Sequence, residues 1–345
     1  MRRGIFALLS ILVLMFLLLG CSNKTQVMDE EVTKQEDRIQ IGVTFESYVI
    51  ERWQRDRDVF VSTANELGAD VNVQTASGSL EEQIGQIEYF IDKGMDVIVI
   101  IAADSDSLAQ TVQAAKDKGI KVIAYDRLIK DANVDLYISI DSEVVGRLMA
   151  EAVTNRIPND GKISVILGPQ TDYNVKLLEK GIESVLNKTN IEVIYKDYAE
   201  GWLAEEGFTA VNETLSMTKR IDGIICGNDD LANQSIRALS EHRQAGKVTV
   251  VGQDADLIAC QRIVEGVQTM TVYKPIEKLA ALAAEYAVKL GMGEDISTDC
   301  TVFDDTYEVP CVKLEPIAVT KDNIDEVIIG SGFHLKEDVY LNSNK

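Results

Sequence analysis

Trp53 and Trp202 are the only tryptophans among 345 residues, and each sits among polar neighbours, in Glu51-Arg52-Trp53-Gln54 and Glu200-Gly201-Trp202-Leu203. An aromatic plane beside hydrogen-bonding groups can stack on the weakly apolar face of a small molecule while its edges are held by polar contacts. Asp126-Arg127, Asp254 and Lys274 supply charged partners. Hydrogen bonds to charged groups contribute about 1.5–3 kcal/mol each, against about 1 for neutral ones. A micromolar complex needs only about 8 kcal/mol, so this inventory suffices for binding without a metal or cofactor. The same residues have plainer readings. Each indole can cap a helix by packing on its own domain, and Asp126-Arg127 can be a surface ion pair.

Covalent and metal chemistry find less support. His242 and His334 are the only histidines, and Cys226, Cys260, Cys300 and Cys311 the only cysteines after Cys21. None has metal-ligand spacing. There is no P-loop, no GxGxxG opening a strand-to-helix turn and no GxSxG elbow. Asp229-Asp230 is a carboxylate pair of the type used in glycoside hydrolysis, but adjacency in sequence gives no geometry across a substrate. A non-enzymatic protein without cofactor is expected. Cys226 ends an apolar run and Cys260 lies in a helical pattern, so both read as small buried hydrophobes. Cys300 and Cys311 lie in a Thr- and Asp-rich stretch where a disulfide can form in an exported protein, although spacing does not fix its geometry.

The elements that must position these residues alternate. Strand patterns at Ile39–Phe45, Val71–Val73, Val97–Ile101 and Val122–Tyr125 are separated by helical patterns at Glu51–Leu67, Glu81–Lys93 and Ser105–Lys118, each followed by a glycine. A second block restarts at Ile163–Leu167 and continues through Val193–Tyr195, Gly223–Cys226 and Val248–Val251, again with helices between. Uninterrupted Val/Ile strands suit parallel sheets covered on both faces. The class is α/β, with two Rossmann-like, doubly wound parallel-sheet lobes. About 300 residues is more than one hydrophobic core usually serves, which agrees with two domains. No Pro- or Gly-rich linker separates the blocks, so the chain is expected to cross a tight hinge more than once.

Parallel sheets bind ligands at the carboxyl ends of their strands. Polar and aromatic residues cluster there: Phe45 to Trp53, Asp126-Arg127, Gln170 to Asn174, Asn228-Asp229 and Gln253-Asp254. Two such edges facing each other would enclose a cleft with charged and amide groups around its rim and indoles above and below. That arrangement matches a monosaccharide, which presents hydroxyls edge-on and C–H faces to either side.

The N-terminus speaks to location. Arg2 and Arg3 precede an apolar run from Ile5 to Leu19, which stops at Leu18-Leu19-Gly20-Cys21 before polar Ser22 and Asn23. The run falls short of the roughly 20 residues a bilayer span needs and has the form of a secretory signal. A small residue followed by cysteine resembles the lipobox of bacterial lipoproteins, which implies cleavage after residue 20 and lipid on Cys21 at the outer face of the cell membrane. Residues 21–37 read as a flexible tether. A formal charge of −22 argues against nucleic acid or an anionic membrane as the main partner.

Several strings extend the case: Glu51-Arg52-Trp53-Gln54-Arg55-Asp56-Arg57-Asp58, Ala124-Tyr125-Asp126-Arg127, Tyr137-Ile138-Ser139-Ile140-Asp141, Gly252-Gln253-Asp254-Ala255-Asp256-Leu257 and Gln268 through Ile276. Together with Gly332-Phe333-His334 they resemble the D-xylose-binding proteins of bacterial sugar uptake, from about residue 38 to 335. The resemblance implies a type I periplasmic binding protein fold with three hinge crossings, expected near Ser142, Tyr273 and Val309. The lobes would then comprise 38–141 plus 273–308 and 142–272 plus 309–345. It implies that Trp53 and Trp202 stack on the pyranose while Arg52, Asp126, Arg127, Asn174, Asn228, Asp254 and Lys274 bind its hydroxyls and ring oxygen. The stretch from Gly168 to Tyr173 departs from the family pattern around Asn174. Two partners suit such a protein: an ABC permease that takes the sugar, or a membrane histidine kinase that reads it. A transcription regulator of the same core would need a helix-turn-helix where the export signal stands.

Overall fold

A computed structural model describes residues 38–298 and 300–343. The signal segment 1–20, the tether 21–37 and the lipidation site Cys21 lie outside the described residues.

The first lobe runs through β1 (Gln40–Phe45), α1 (Arg52–Glu66), β2 (Asp70–Thr75), α2 (Leu80–Lys93), β3 (Val97–Ile100), α3 (Ala109–Asp117), β4 (Lys121–Tyr125) and β5 (Leu136–Ile140). These strands pair in parallel in the order β5-β4-β3-β1-β2. Along β3 every residue is apolar because both faces are covered. Val97 and Val99 pack into one hydrophobic cluster, Ile98 and Ile100 into the other, as the two-residue period of a strand requires.

The second lobe begins at α4 (Ser142–Thr154) and continues through β6 (Lys162–Leu167), α5 (Tyr173–Leu186), β7 (Glu192–Tyr198), α6 (Glu205–Met217), β8 (Gly223–Cys226), α7 (Asp229–Glu241), β9 (Thr249–Gln253), α8 (Leu257–Glu265) and β10 (Met270–Tyr273). Its parallel strands lie in the order β10-β9-β8-β6-β7. The chain then returns. Helix α9 (Ile276–Gly291) packs on α1 and β3, and β11 (Cys300–Phe303) with β12 (Glu308–Leu314) extends the first sheet beyond β5. Finally β13 (Ile317–Val319) joins the second sheet antiparallel to β10, and α10 (Lys336–Val339) packs on α8.

The chain therefore passes between sheets three times: between Ile140 and Ser142, between Tyr273 and Ile276, and between Leu314 and Ile317. The third passage corrects the expectation of a crossing at Val309 and of a second lobe resuming there. Val309 is buried inside β12, opposite Val302, and β12 pairs in parallel with β5 of the first sheet. Pro310 removes a ladder donor in mid-strand, so the sequence there reads as a break. Cys300 and Cys311 face each other across the β11–β12 ribbon, 5.0 Å apart at Cα, and form a disulfide, a separation inside the usual range. Cys226 and Cys260 are buried free thiols.

Candidate ligand-binding cleft

The carboxyl ends of the two parallel sheets face each other across a cleft. Arg52, Trp53, Asp126, Arg127, Asn174, Trp202, Asn228, Asp254 and Lys274 all line it, joined by Ile50, Ser142, Asp172, Val175, Leu178 and Gln253. All nine residues singled out in the sequence thus come together in one place. What they do there follows from their partners.

The wall contributed by the first lobe is a buried ionic lattice. Arg52 opens α1 and pairs with Asp56 one turn later at 3.1 Å and with Asp126 at 3.3 Å, while its guanidinium stacks 4.3 Å from the centre of the Trp53 ring. Asp126 follows β4 with φ of 64°, a left-handed conformation that Asp tolerates better than most residues. Its carbonyl accepts hydrogen bonds from Ser139 Oγ and Asn174 Nδ2, and its carboxylate accepts a second from Asn174 Nδ2 at 3.0 Å. Burial alone would raise the Asp126 carboxyl, but Arg52, Lys274 and Arg127 hold it below its ordinary value. It stays charged. Arg127 is 2 % exposed; it donates to the Ala102 carbonyl at 2.9 Å and pairs with Asp172 at 2.8 Å.

Residues of the second lobe answer from the opposite wall. Asp172 caps α5 by accepting from the Asn174 amide, the role short acidic side chains fill at helix starts, and also accepts from Trp202 Nε1 at 3.2 Å. The Trp202 ring lies directly on the strand-end glycines. A Cβ at Gly168 would sit 2.2 Å from it, so glycine is needed there to leave room for the indole, and one at Gly227 would crowd it at 3.1 Å. Asn228 uses its oxygen to cap α7 through the Leu231 amide, which turns its amide donors to other use. Lys274, in the second passage between sheets, pairs with Asp254 at 2.6 Å. Trp53 Nε1 and Asn174 Oδ1 are buried without an internal partner, and buried polar atoms of that kind generally find one.

Cations and carboxylates alternate around the cleft. A hydroxyl both donates and accepts, so a neutral polyol meets both signs productively, whereas a charged ligand would meet like charge on some side. Gln253 and the stretch holding Asp172 stand among the polar strand ends read from the sequence, but neither they nor Asp56 is among the nine residues expected to contact the ligand. The Arg52–Asp56 spacing of four on a helix and the capping position of Asp172 are the signals that could have found Asp56 and Asp172.

Near Asp254 sits a second set of carboxyls. Burial, then the charge of Asp254, raises Asp230 to about 6, and burial likewise raises Asp256. A carboxyl raised in the folded state contributes stability that is whole below its unfolded value near 4 and is lost as pH climbs through the folded value. His334, lowered by burial, acts in the opposite sense, losing stability as pH falls below about 6.5. The clean readout is therefore a difference. Thermal melts of wild type and Asp230→Asn should separate as pH rises from 4 through 6 to 8, the variant becoming relatively more stable. A constant gap would mean that Asp230 titrates normally.

Two doubly wound lobes joined by three passages, with a polar cleft between their strand ends, define a binding protein whose small-ligand site lies between its lobes. The chain belongs to the periplasmic binding protein domain family, whose model matches residues 41–295, and it is a binding protein rather than an enzyme. It is 44% identical over 307 residues to a D-xylose-binding periplasmic protein of Haemophilus influenzae, covering 88% of this chain and 92% of that one. With the D-xylose-binding periplasmic protein of Escherichia coli it shares 41% identity over 320 residues, 91% and 97% of the two chains. Among solved structures, a carbohydrate transporter solute binding protein of Chloroflexus aurantiacus in complex with D-glucose superposes with a TM-score of 0.80 at 25% identity, covering 87% of this chain and 98% of that one.

Proposed function

We propose that this protein binds D-xylose in the cleft and that its closed, loaded form delivers the sugar to an ABC permease, with lipid on Cys21 holding it at the outer face of the membrane. The observation that carries the ligand class is the alternation of buried carboxylates and cations between one tryptophan from each lobe. The two relatives above 40% identity, both named for D-xylose, support the particular sugar. Trp53 and Trp202 serve as stacking faces, and Arg52, Asp126, Arg127, Asn174, Asn228, Asp254 and Lys274 bind the hydroxyls and ring oxygen. Contacts drawn from both lobes favour the closed state over the open one, and that difference in affinity is what a permease can read. No observation favours a sensor kinase as the partner.

A pentopyranose lacks the exocyclic hydroxymethyl of a hexose, so contact with that group is the basis for selectivity against glucose and galactose, while hydroxyl configuration separates D-xylose from ribose and arabinose. Calorimetric titration with D-xylose, ribose, glucose, arabinose and galactose tests this reading. Tight binding of D-xylose with little heat from the others is expected; tight glucose or ribose binding without xylose binding overturns it. Cys21→Ser should release the protein from the membrane fraction, and retention would remove the anchor from the proposal.

A further inference from the structure

Asp229 is fully buried, yet it lines none of the cleft. It is the first residue of α7, directly after the cleft residue Asn228. Its Oδ2 accepts from Thr271 Oγ1 at 2.6 Å and from the Asp256 amide at 3.2 Å, and its Oδ1 accepts from Gln268 Nε2 at 2.8 Å. Thr271 Oγ1 in turn accepts from the Ala255 amide at 3.1 Å. A Cβ at Gly252 would come within 2.2 Å of Asp229 Oδ1, so β9 keeps a hollow for this carboxyl. Burial, with the charge of Asp254 adding to it, raises the group well above the carboxylate range. The fold retains it against that cost.

The object of these contacts is the turn that follows β9. Asp254 and Ala255 have φ of 100° and 56°, left-handed values that disfavour residues with a Cβ and that persist only where surrounding structure imposes them. The Ala255 and Asp256 amides, the next two in the chain after Asp254, are the ones held by Thr271 and Asp229. The Asp254 amide donates to the Val272 carbonyl at 2.9 Å, and its carboxylate reaches Lys274 in the cleft. We propose that Asp229 is a positioning residue for the cleft: with Thr271 it grips the Ala255 and Asp256 amides, holds Asp254 and Ala255 in their left-handed conformation and so aims the Asp254 carboxylate at the ligand. The link to ligand affinity rests on the proposed sugar-binding role; the link to the turn does not.

The test reads the two links separately in the intact protein. Amide hydrogen exchange without ligand should quicken at least tenfold at Ala255 and Asp256 in Asp229→Ala and in Thr271→Val, while amides of β8 stay protected. Thr271→Ser, which keeps the hydroxyl, should exchange as wild type does. D-xylose affinity should fall about tenfold in Asp229→Ala and Thr271→Val and recover in Thr271→Ser. Should Asp229→Ala fail to fold, the two Thr271 variants carry the comparison. Unchanged exchange at Ala255 and Asp256 in Thr271→Val, or quickened exchange with unchanged affinity, overturns the positioning role. If wild type binds no D-xylose, the ligand reading falls, and exchange alone decides whether these residues hold the turn.

Discussion

Replacing Arg127 by alanine is expected to weaken D-xylose binding at least a hundredfold while leaving a protein that melts cooperatively. The guanidinium belongs to the first lobe and its partner Asp172 to the second, so the pair exists only when the lobes meet. In an opened cleft Asp172 returns to water. In the closed one, without Arg127, it becomes an uncompensated buried charge, for which losses of about 3–5 kcal/mol are usual. That loss falls chiefly on closure, and closure is what binding draws on; a hundredfold corresponds to about 2.7 kcal/mol. Glu46, 3.7 Å from the same guanidinium within the first lobe, will lower the melting temperature somewhat. Isothermal titration beside calorimetric melting checks both halves. Wild-type affinity in this variant would remove Arg127 from the site.

The second large effect concerns Trp202. Truncation to alanine removes the indole from its seat on Gly168 and Gly227 and deprives Asp172 of the Nε1 donor. Large aromatic groups buried at the centre of a contact commonly cost more than 2 kcal/mol when truncated, so a loss of about thirtyfold or more in D-xylose affinity is expected. Trp202→Phe keeps a flat face but not the N–H, and should recover most of the binding. If phenylalanine binds as poorly as alanine, the bond to Asp172 matters and stacking does not. If alanine binds as well as wild type, the ring merely packs on its own lobe.

That plainer reading of the tryptophans, and of Asp126-Arg127 as a surface pair, shows where sequence reasoning reaches its end. The run Val97-Ile98-Val99-Ile100 declares a strand covered on both faces without any structure, and the polar strand ends announce a cleft because parallel sheets present their carboxyl edges together. Burial of Arg127 could not be read, since its partners Glu46 and Asp172 lie 81 residues before it and 45 after it, on different elements. Asp172 looks like an ordinary helix cap and is one, but it also serves the opposite lobe. The β11–β12 ribbon was missed for a local reason: Pro310 and the Asp-rich bend at Asp304-Asp305 mask two short strands whose pairing is visible only once β5 is seen to need a neighbour.

The order in which the two sheets are completed constrains how the protein is made. Strand β5 ends at Ile140, but β12, which lies beside it, and α9, which covers α1 and β3, come only after the whole central portion of the second lobe. At about 5–20 residues per second of synthesis, the first lobe therefore waits on the order of 10 s for the segments that finish it. During that interval its β5 edge and the part of the sheet face that α9 covers stay exposed. A chain with this layout completes its N-terminal half only when nearly the last residues have been added, an order of assembly that suits passage through a narrow pore before folding.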